Sequence, residues 1–173
     1  MAPAIFQLLL ALVLFAPSTP RPRPAKGNVT VESIGKQILE AIKTKDFAPM
    51  EAMMPTEEVI ADWMKQDSAE EGKVSAATPA QVRGKMKQKM QQELEDILKS
   101  AKSHRVKLAK LQHGGILKDE INPESKHPMH AIVMEIRYLE RPVDIAYTAI
   151  QHGDQWYYLG ILLSNDVFSQ LEG

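Results

Sequence analysis

The chain of 173 residues contains no cysteine. Disulfides, thiol catalysis and thiolate metal sites are thereby excluded, as is a lipid-modified cysteine behind an export leader. Whatever fold forms must be stable from its core alone. An excess of charge of one sign is also missing, since 21 basic and 22 acidic side chains leave a formal net charge of −1. No global field favours a polyanion, and no nucleic-acid partner is expected. Long apolar runs are lacking too. The run over residues 5–16, interrupted only by Gln7, would span about 18 Å as a helix against a hydrocarbon core of about 30 Å. No stable membrane anchor is therefore expected. The chain has no G-x-S-x-G, P-loop, GxGxxG, HExxH or EF-hand pattern, which leaves hydrolase, nucleotide and calcium roles without a motif to support them.

What is present begins with that apolar run. It is followed by Ser18-Thr19-Pro20-Arg21-Pro22-Arg23-Pro24, where the prolines forbid a helix. The pair reads as an export signal feeding a flexible tether. Ala16 and Ser18 supply small residues at the −3 and −1 positions of a cut before Thr19. Residues 1–18 are expected to be a cleaved signal peptide, 19–30 a Pro-rich linker and 31–173 a single α+β cone-like domain. The location that follows is secreted or periplasmic. The cations Arg21, Arg23 and Lys26 come after the run rather than before it, opposite to the usual polarity. At 44% hydrophobic and 25% charged, the chain as a whole has the composition of a globule, and the part after the leader is near the modal domain size.

Helices are expected first and strands last. Asn28-Val29-Thr30 is an N-glycosylation sequon, meaningful only in a eukaryotic secretory pathway and otherwise the cap of the first helix. Val31, Ile34, Ile38, Ala41 and Ile42 recur at helical spacing over 31–43. Asp46 is placed to cap a short helix that Pro55 stops, and Thr56 to cap another, with Glu57 and Glu58 in its first turn and Val59, Ile60, Trp63 and Met64 on its buried side. Residues 66–77 show no period and read as a loop. The strongest helical pattern covers 79–102. Thr78, Pro79 and Gln81 make a capping box, and Val82, Met86, Met90, Leu94, Ile97, Leu98 and Ala101 draw one apolar line.

Strand patterns follow. Val106, Leu108 and Leu111 lie among cations, and Gly114-Gly115 marks a bulge before Ile116. Residues 122–128 read as a loop. Gly153-Asp154 suits a type II′ turn, which pairs Gln151 with Trp156, Ala149 with Tyr158 and Tyr147 with Gly160. Taking Arg141-Pro142 as the preceding turn pairs Tyr138 with Ile145, Ile136 with Tyr147 and Met134 with Ala149. Both inferences place Ile132, Met134, Ile136, Tyr138, Ile145, Tyr147, Ala149, Trp156, Tyr158 and Leu162 on one face. Glu135, Arg137, Asp144 and Thr148, with Val133, Ile150, Leu159 and Ile161, take the other. The last strand is apolar on both sides, which calls for a central place or a cover from residues 165–171. The fold class is thus α+β, with N-terminal helices including one long helix packed on a curved antiparallel sheet of about four C-terminal strands.

The helix pair with Pro55-Thr56-Glu57-Glu58, the long basic helix and the closing hairpin Gly153-Asp154-Gln155-Trp156-Tyr157-Tyr158 resemble NTF2-like and cystatin-like α+β cone proteins, among them small bacterial exported proteins. The likeness covers residues 31–164. It implies a cone-shaped sheet around a long helix, with a pocket that some relatives use for ligands and a few for acid–base catalysis. No catalytic residue carries over by motif.

Candidate chemistry is sparse. The ligand-pocket candidates are Met134, Ile136, Tyr138, Tyr147, Trp156 and Tyr158, the apolar and aromatic lining of the concave face. Asp144, Glu135 and His130 are the catalytic candidates, because a carboxylate desolvated in a pocket can exchange protons with a histidine. Asp144 and Tyr147 point to opposite faces on this register. His127-x-x-His130, with His104, His113 and His152 scattered, offers no three or four convergent ligands, so no metal and no cofactor are expected. Met50, Met53, Met54, Met86 and Met90 read as core packing. The cations Arg83, Lys85, Lys87 and Lys89 oppose the dipole of the helix they begin, so acidic side chains before that helix are expected to match them. The function expected is that of an exported non-catalytic module of unknown role, whose concave face either is solid core or holds a small apolar ligand, or which binds a protein partner. The alternative is a pocket-based acid–base enzyme, isomerase-like or hydrolase-like.

Overall fold

A computed structural model of the chain describes residues 30–71, 76–121, 129–161 and 166–172. The leader, most of the linker, the loop over 122–128 with His127, and Leu162 lie outside the described residues.

Helix α1 is Val31–Thr44. Thr30 and Ser33 cap it reciprocally: Thr30 Oγ1 accepts the Ser33 N–H at 3.1 Å, and Ser33 Oγ accepts the Thr30 N–H at 2.8 Å. Serine here does the work of the usual Glu or Gln in a capping box. The stripe Ile34, Ile38, Ala41 and Ile42 is buried as its spacing requires. At Gly35 the helix comes so close to the sheet that a Cβ would lie 3.0 Å from Met134 Sδ and 3.3 Å from the Tyr147 hydroxyl. That hydroxyl donates to Val31 O at 2.8 Å and ties the helix start to the sheet.

Asp46 Oδ1 accepts the Ala48 N–H at 3.0 Å and starts the short helix α2, Ala48–Glu51. Thr56 Oγ1 accepts the Val59 N–H at 3.3 Å, opening α3, Glu57–Glu71. That helix continues past Gln66, where a loop was expected. Residues 66–71 contain neither Gly nor Pro, and Ala69, Glu70 and Glu71 propagate a helix readily; Gly72 is the first breaker. The long helix α4 is Pro79–Ser103, opened by the Thr78–Gln81 capping box. Two of its early cations, Arg83 and Lys87, are matched by an acidic residue before the helix, and Lys89 by Glu93 within it. Lys87 Nζ sits 2.6 Å from Glu51 Oε1, and the Arg83 guanidinium reaches Glu51 at 3.9 Å and Pro55 O at 3.1 Å.

Four strands form one open antiparallel sheet in the order β1-β2-β3-β4: Leu111–Ile121, Met129–Tyr138, Arg141–His152 and Gln155–Ile161. A 3-10 turn, Leu108–Lys110, leads into β1 where strand had been expected to begin, and β1 bulges at Gly114. The β2–β3 turn is Leu139-Glu140, not Arg141-Pro142. Both turn residues are left-handed, with φ of 50° and 65°, as a two-residue hairpin loop of matching twist needs. Tyr138 therefore pairs with Arg141, Ile136 with Val143, Met134 with Ile145 and Ile132 with Tyr147. Each strand-to-strand assignment moves by four residues. Because side chains alternate with a period of two, an even shift leaves every residue on its expected face.

The Gly153-Asp154 turn is as expected, with Gly153 at φ 60°. Gln151 pairs with Trp156 and Ala149 with Tyr158. Beyond them Leu159 forms a bulge, so Thr148 meets Gly160 and Tyr147 meets Ile161 rather than Gly160. Ile161 thus turns to the face of Tyr147. Neither is β4 central; it is an edge strand whose polar groups are sealed from the side. The Tyr158 N–H donates to Met53 O at 2.9 Å, and the Ile161 N–H to Glu93 Oε2 at 3.0 Å. Burial pushes the Glu93 carboxyl up, against the Ile161 N–H and Lys89, which favour its charge.

The C-terminal 3-10 helix, Val167–Glu172, covers the part of β3 that β4 leaves open. The Gln170 side-chain amide accepts from Asp144 N and donates to Asp144 O, both at 3.0 Å, as a strand residue would. On its other side this helix is latched to α4. Ser100 Oγ donates to Asp166 Oδ1 at 2.6 Å and accepts the Phe168 N–H at 2.9 Å. His104, 9% exposed in its side chain, lies between Asp166 and Glu172, with one ring nitrogen 2.8 Å from each carboxylate.

This latch has a pH window. Desolvation opposes protonation of His104, but Asp166 and Glu172 outweigh it and its pKa is raised above 6.5. Asp166 is lowered below 3.8, mainly by the Ser100 hydroxyl, against some desolvation, and then by His104. The raised histidine stabilises the fold fully below 6.5, and that contribution fades as pH rises through its folded value. The lowered carboxylate stabilises fully above 3.8 and fades as pH falls through its own. The melting-temperature difference between the natural chain and His104→Gln is expected to be greatest between those limits and to shrink on either side. A difference constant from acid to alkaline pH would show that the latch does not titrate.

Candidate functional site

The pocket candidates fall into two groups. Met134, Ile136, Tyr147 and Tyr158 are fully buried and join helix residues such as Ile38, Met90 and Ile97 in one hydrophobic cluster. Tyr138 and Trp156 are half-buried at its margin. Burial, reinforced by Asp119 at Tyr147 and by Glu93 at Tyr158, raises both hydroxyls well above the ordinary phenol range. Both stay protonated at neutral pH.

The three catalytic candidates do not share one site. Glu135 and Asp144 are direct partners across β2 and β3, on the face away from Met134. Glu135 is engaged by Arg137 Nε at 2.6 Å. His130 lies on the other face, with Ile132 and Met134. There its Nδ1 is bonded to Asp119, and its ring stands edge-on to Trp156 with centroids 4.5 Å apart. A carboxylate on Nδ1 leaves Nε2 free to act as a base. Among the described residues no hydroxyl bonds to that nitrogen, and no three acidic or histidine side chains are placed to hold a metal ion.

A different site emerges where α1 and α4 end. A groove of about 780 Å³ is floored by Leu98, Ala101, Val106 and Leu108 and rimmed by Lys43, Lys45, Lys99, Lys102 and Lys107, with Glu95 the single acidic liner. Its volume is that of an ordinary small-molecule site. Lys99 is held by Asp96 at 3.1 Å. The other four lysines have no ion pair among the described residues.

The local backbone explains how the groove forms. Both helices end in the same six-to-one closure, Asp46 N–H to Ala41 O at 3.2 Å and Val106 N–H to Ala101 O at 2.8 Å. Each closure requires a left-handed residue, normally glycine. Here Lys45 at φ 57° and Arg105 at φ 55° occupy those positions. After each, the chain turns sharply, and Val106 to Ala109 folds back beside the helix to wall the groove. The lysines of both helix ends were visible in the sequence. Their convergence was not, because residues 43–45 and 99–107 meet only through tertiary packing.

No helix among the described residues is long and apolar enough to cross a membrane. No family model, curated protein or solved structure matches this chain.

Proposed function

We propose that the chain is an exported, non-catalytic α+β module that binds an amphiphile, apolar in its body and anionic at one end, in the groove between the ends of α1 and α4. The observation that carries this reading is the groove itself, an apolar floor inside a ring of five lysines. The floor would desolvate a chain or ring at about 25 cal/mol per Å² buried, and the rim would hold a carboxylate, sulfate or phosphate head. Export is supported by the apolar run over 5–16. An NTF2-like or cystatin-like relationship is supported by the four-stranded antiparallel sheet packed with a 25-residue helix.

Lysines at helix C-termini also serve as partners of the helix dipole, without any ligand. Lys45 separates the two roles. Dipole matching does not call for a lysine in the left-handed conformation, where it costs about 1 kcal/mol more than glycine. Lys45→Gly is expected to stabilise the fold by about that amount while weakening dodecanoate binding in titration calorimetry. Joint replacement of Lys43, Lys102 and Lys107 by glutamine removes three rim charges, and affinity should fall by about tenfold. Decyl maltoside, with no anionic head, should bind the natural chain more weakly than dodecanoate. No heat with dodecanoate, or unchanged affinity in the triple variant, would overturn the reading.

A second reading, an acid–base enzyme, is favoured by the carboxylate on His130. On that reading any turnover disappears in His130→Gln and survives the lysine replacements.

A further inference from the structure

The two outer strands of the sheet are treated differently. At β4 the Tyr158 and Ile161 N–H groups are taken up by Met53 and Glu93, and the open end of β3 is filled by Gln170. At β1, the Leu111 N–H closes on Leu108 O, and among the described residues no main-chain group from Gln112 to Ile121 bonds outside β2. Its last five residues, Leu117 to Ile121, are all exposed. Two of the three exposed large hydrophobic side chains among the described residues lie there, Leu117 at 55% and Ile121 at 60%. From Lys118 to Ile121 the pairing with β2 is regular, so the other edge of this stretch is a straight template for another strand.

We infer that two copies of this chain associate through β1, as antiparallel strands related by a two-fold axis at Asp119. Charge and apolar pattern together select this partner and this register. An antiparallel pair opposes residues with the same hydrogen-bonding direction, so a two-fold axis between identical strands must pass through a residue. Centred on Lys118 or Glu120, the pairing sets like charges against each other. Centred on Asp119, it sets Lys118 against Glu120 of the second copy twice over, and brings Leu117, the residue bulged out of the β1–β2 ladder at the start of this stretch, toward Ile121 twice over. Lys118 and Glu120 already attract one another within the strand, at 2.8 Å. The one like pair, Asp119 with its mate, has each carboxylate engaged by the His130 of its own chain. Both exposed apolar side chains of the strand are covered in the same step. This assembly is independent of what fills the groove.

A strand-edge contact is smaller than the roughly 800 Å² per partner of a standard interface, so the dimer should be weak, with a dissociation constant on the order of 10 µM. Sedimentation of the natural chain over a range of concentrations is expected to show a monomer–dimer equilibrium. Lys118→Glu and Glu120→Lys should each yield monomer at every concentration, and the double exchange K118E/E120K should restore the dimer. A natural chain that stays monomeric when concentrated, or a Lys118→Glu variant that still dimerises, would overturn the inference. The register has its own test. With no native cysteine, Asp119→Cys puts a single thiol on the axis, and mild oxidation should give a covalent dimer, whereas Leu117→Cys should not cross-link to itself. Cross-linking at Leu117→Cys and not at Asp119→Cys would place the axis elsewhere.

Discussion

Phe168→Ala is expected to destabilise the chain by roughly 3–5 kcal/mol. The side chain is fully buried, although it belongs to a six-residue 3-10 helix at the end of the chain, where fraying is the usual expectation. Polar contacts hold the segment in place besides the ring. The Phe168 N–H bonds to Ser100, Asp166 bonds to Ser100 and His104, and Gln170 fills the edge of β3 at Asp144. Losing the ring leaves a cavity lined by helix and sheet, and these polar contacts hinder its collapse. Urea denaturation measures the loss. Gln170→Ala removes only hydrogen bonds at an exposed edge and should cost about 1 kcal/mol. If Phe168→Ala cost no more than Gln170→Ala, the terminal helix would not be part of the core.

Gly160→Ala is the second large effect, expected to destabilise by about 1–3 kcal/mol. Gly160 has φ 137°, a conformation that side chains reject. Its new Cβ would also lie 3.2 Å from a Glu93 oxygen. Glu93 cannot withdraw without exposing the Ile161 N–H it accepts. Gly84→Ala makes the contrast. It lies inside α4 with open space around it, so removing helical glycine there should stabilise by about 0.5–1 kcal/mol. Opposite signs for the two variants in thermal melts are the expected result. A stabilising or neutral Gly160→Ala would mean that the bulge at Leu159 is absent.

That bulge also shows where sequence reading stops. An alternating pattern assigns faces, and it did so correctly for Ile132 to Ile136 and for Ile145 to Ala149, even with the turn misplaced at Arg141-Pro142. Proline there was a misleading signal. It is tolerated as the second residue of β3, while Leu139-Glu140, without glycine or asparagine, adopts a left-handed turn that carries no local signature. The extra residue in β4 reverses the side on which Ile161 faces, and a run apolar on both sides cannot reveal that.

Local chemistry was legible where neighbours in sequence are neighbours in space. Thr30, Thr56 and Thr78 cap the helices they precede, Gly153-Asp154 closes its hairpin, and Gly114 bulges β1. The even apolar spacing of α4 declared its buried stripe. Each of these depends on contacts a few residues apart, so the order of the chain alone determined them. Tertiary structure decided the rest. Ser100 meets Asp166 across 66 positions, and Trp63 meets His152 across 89. Lys43 and Lys45 face Lys99, Lys102 and Lys107 only because α1 and α4 end on the same side of the core. Pairings at that separation are chosen by how whole surfaces bury one another, a collective quantity that no local period or motif encodes.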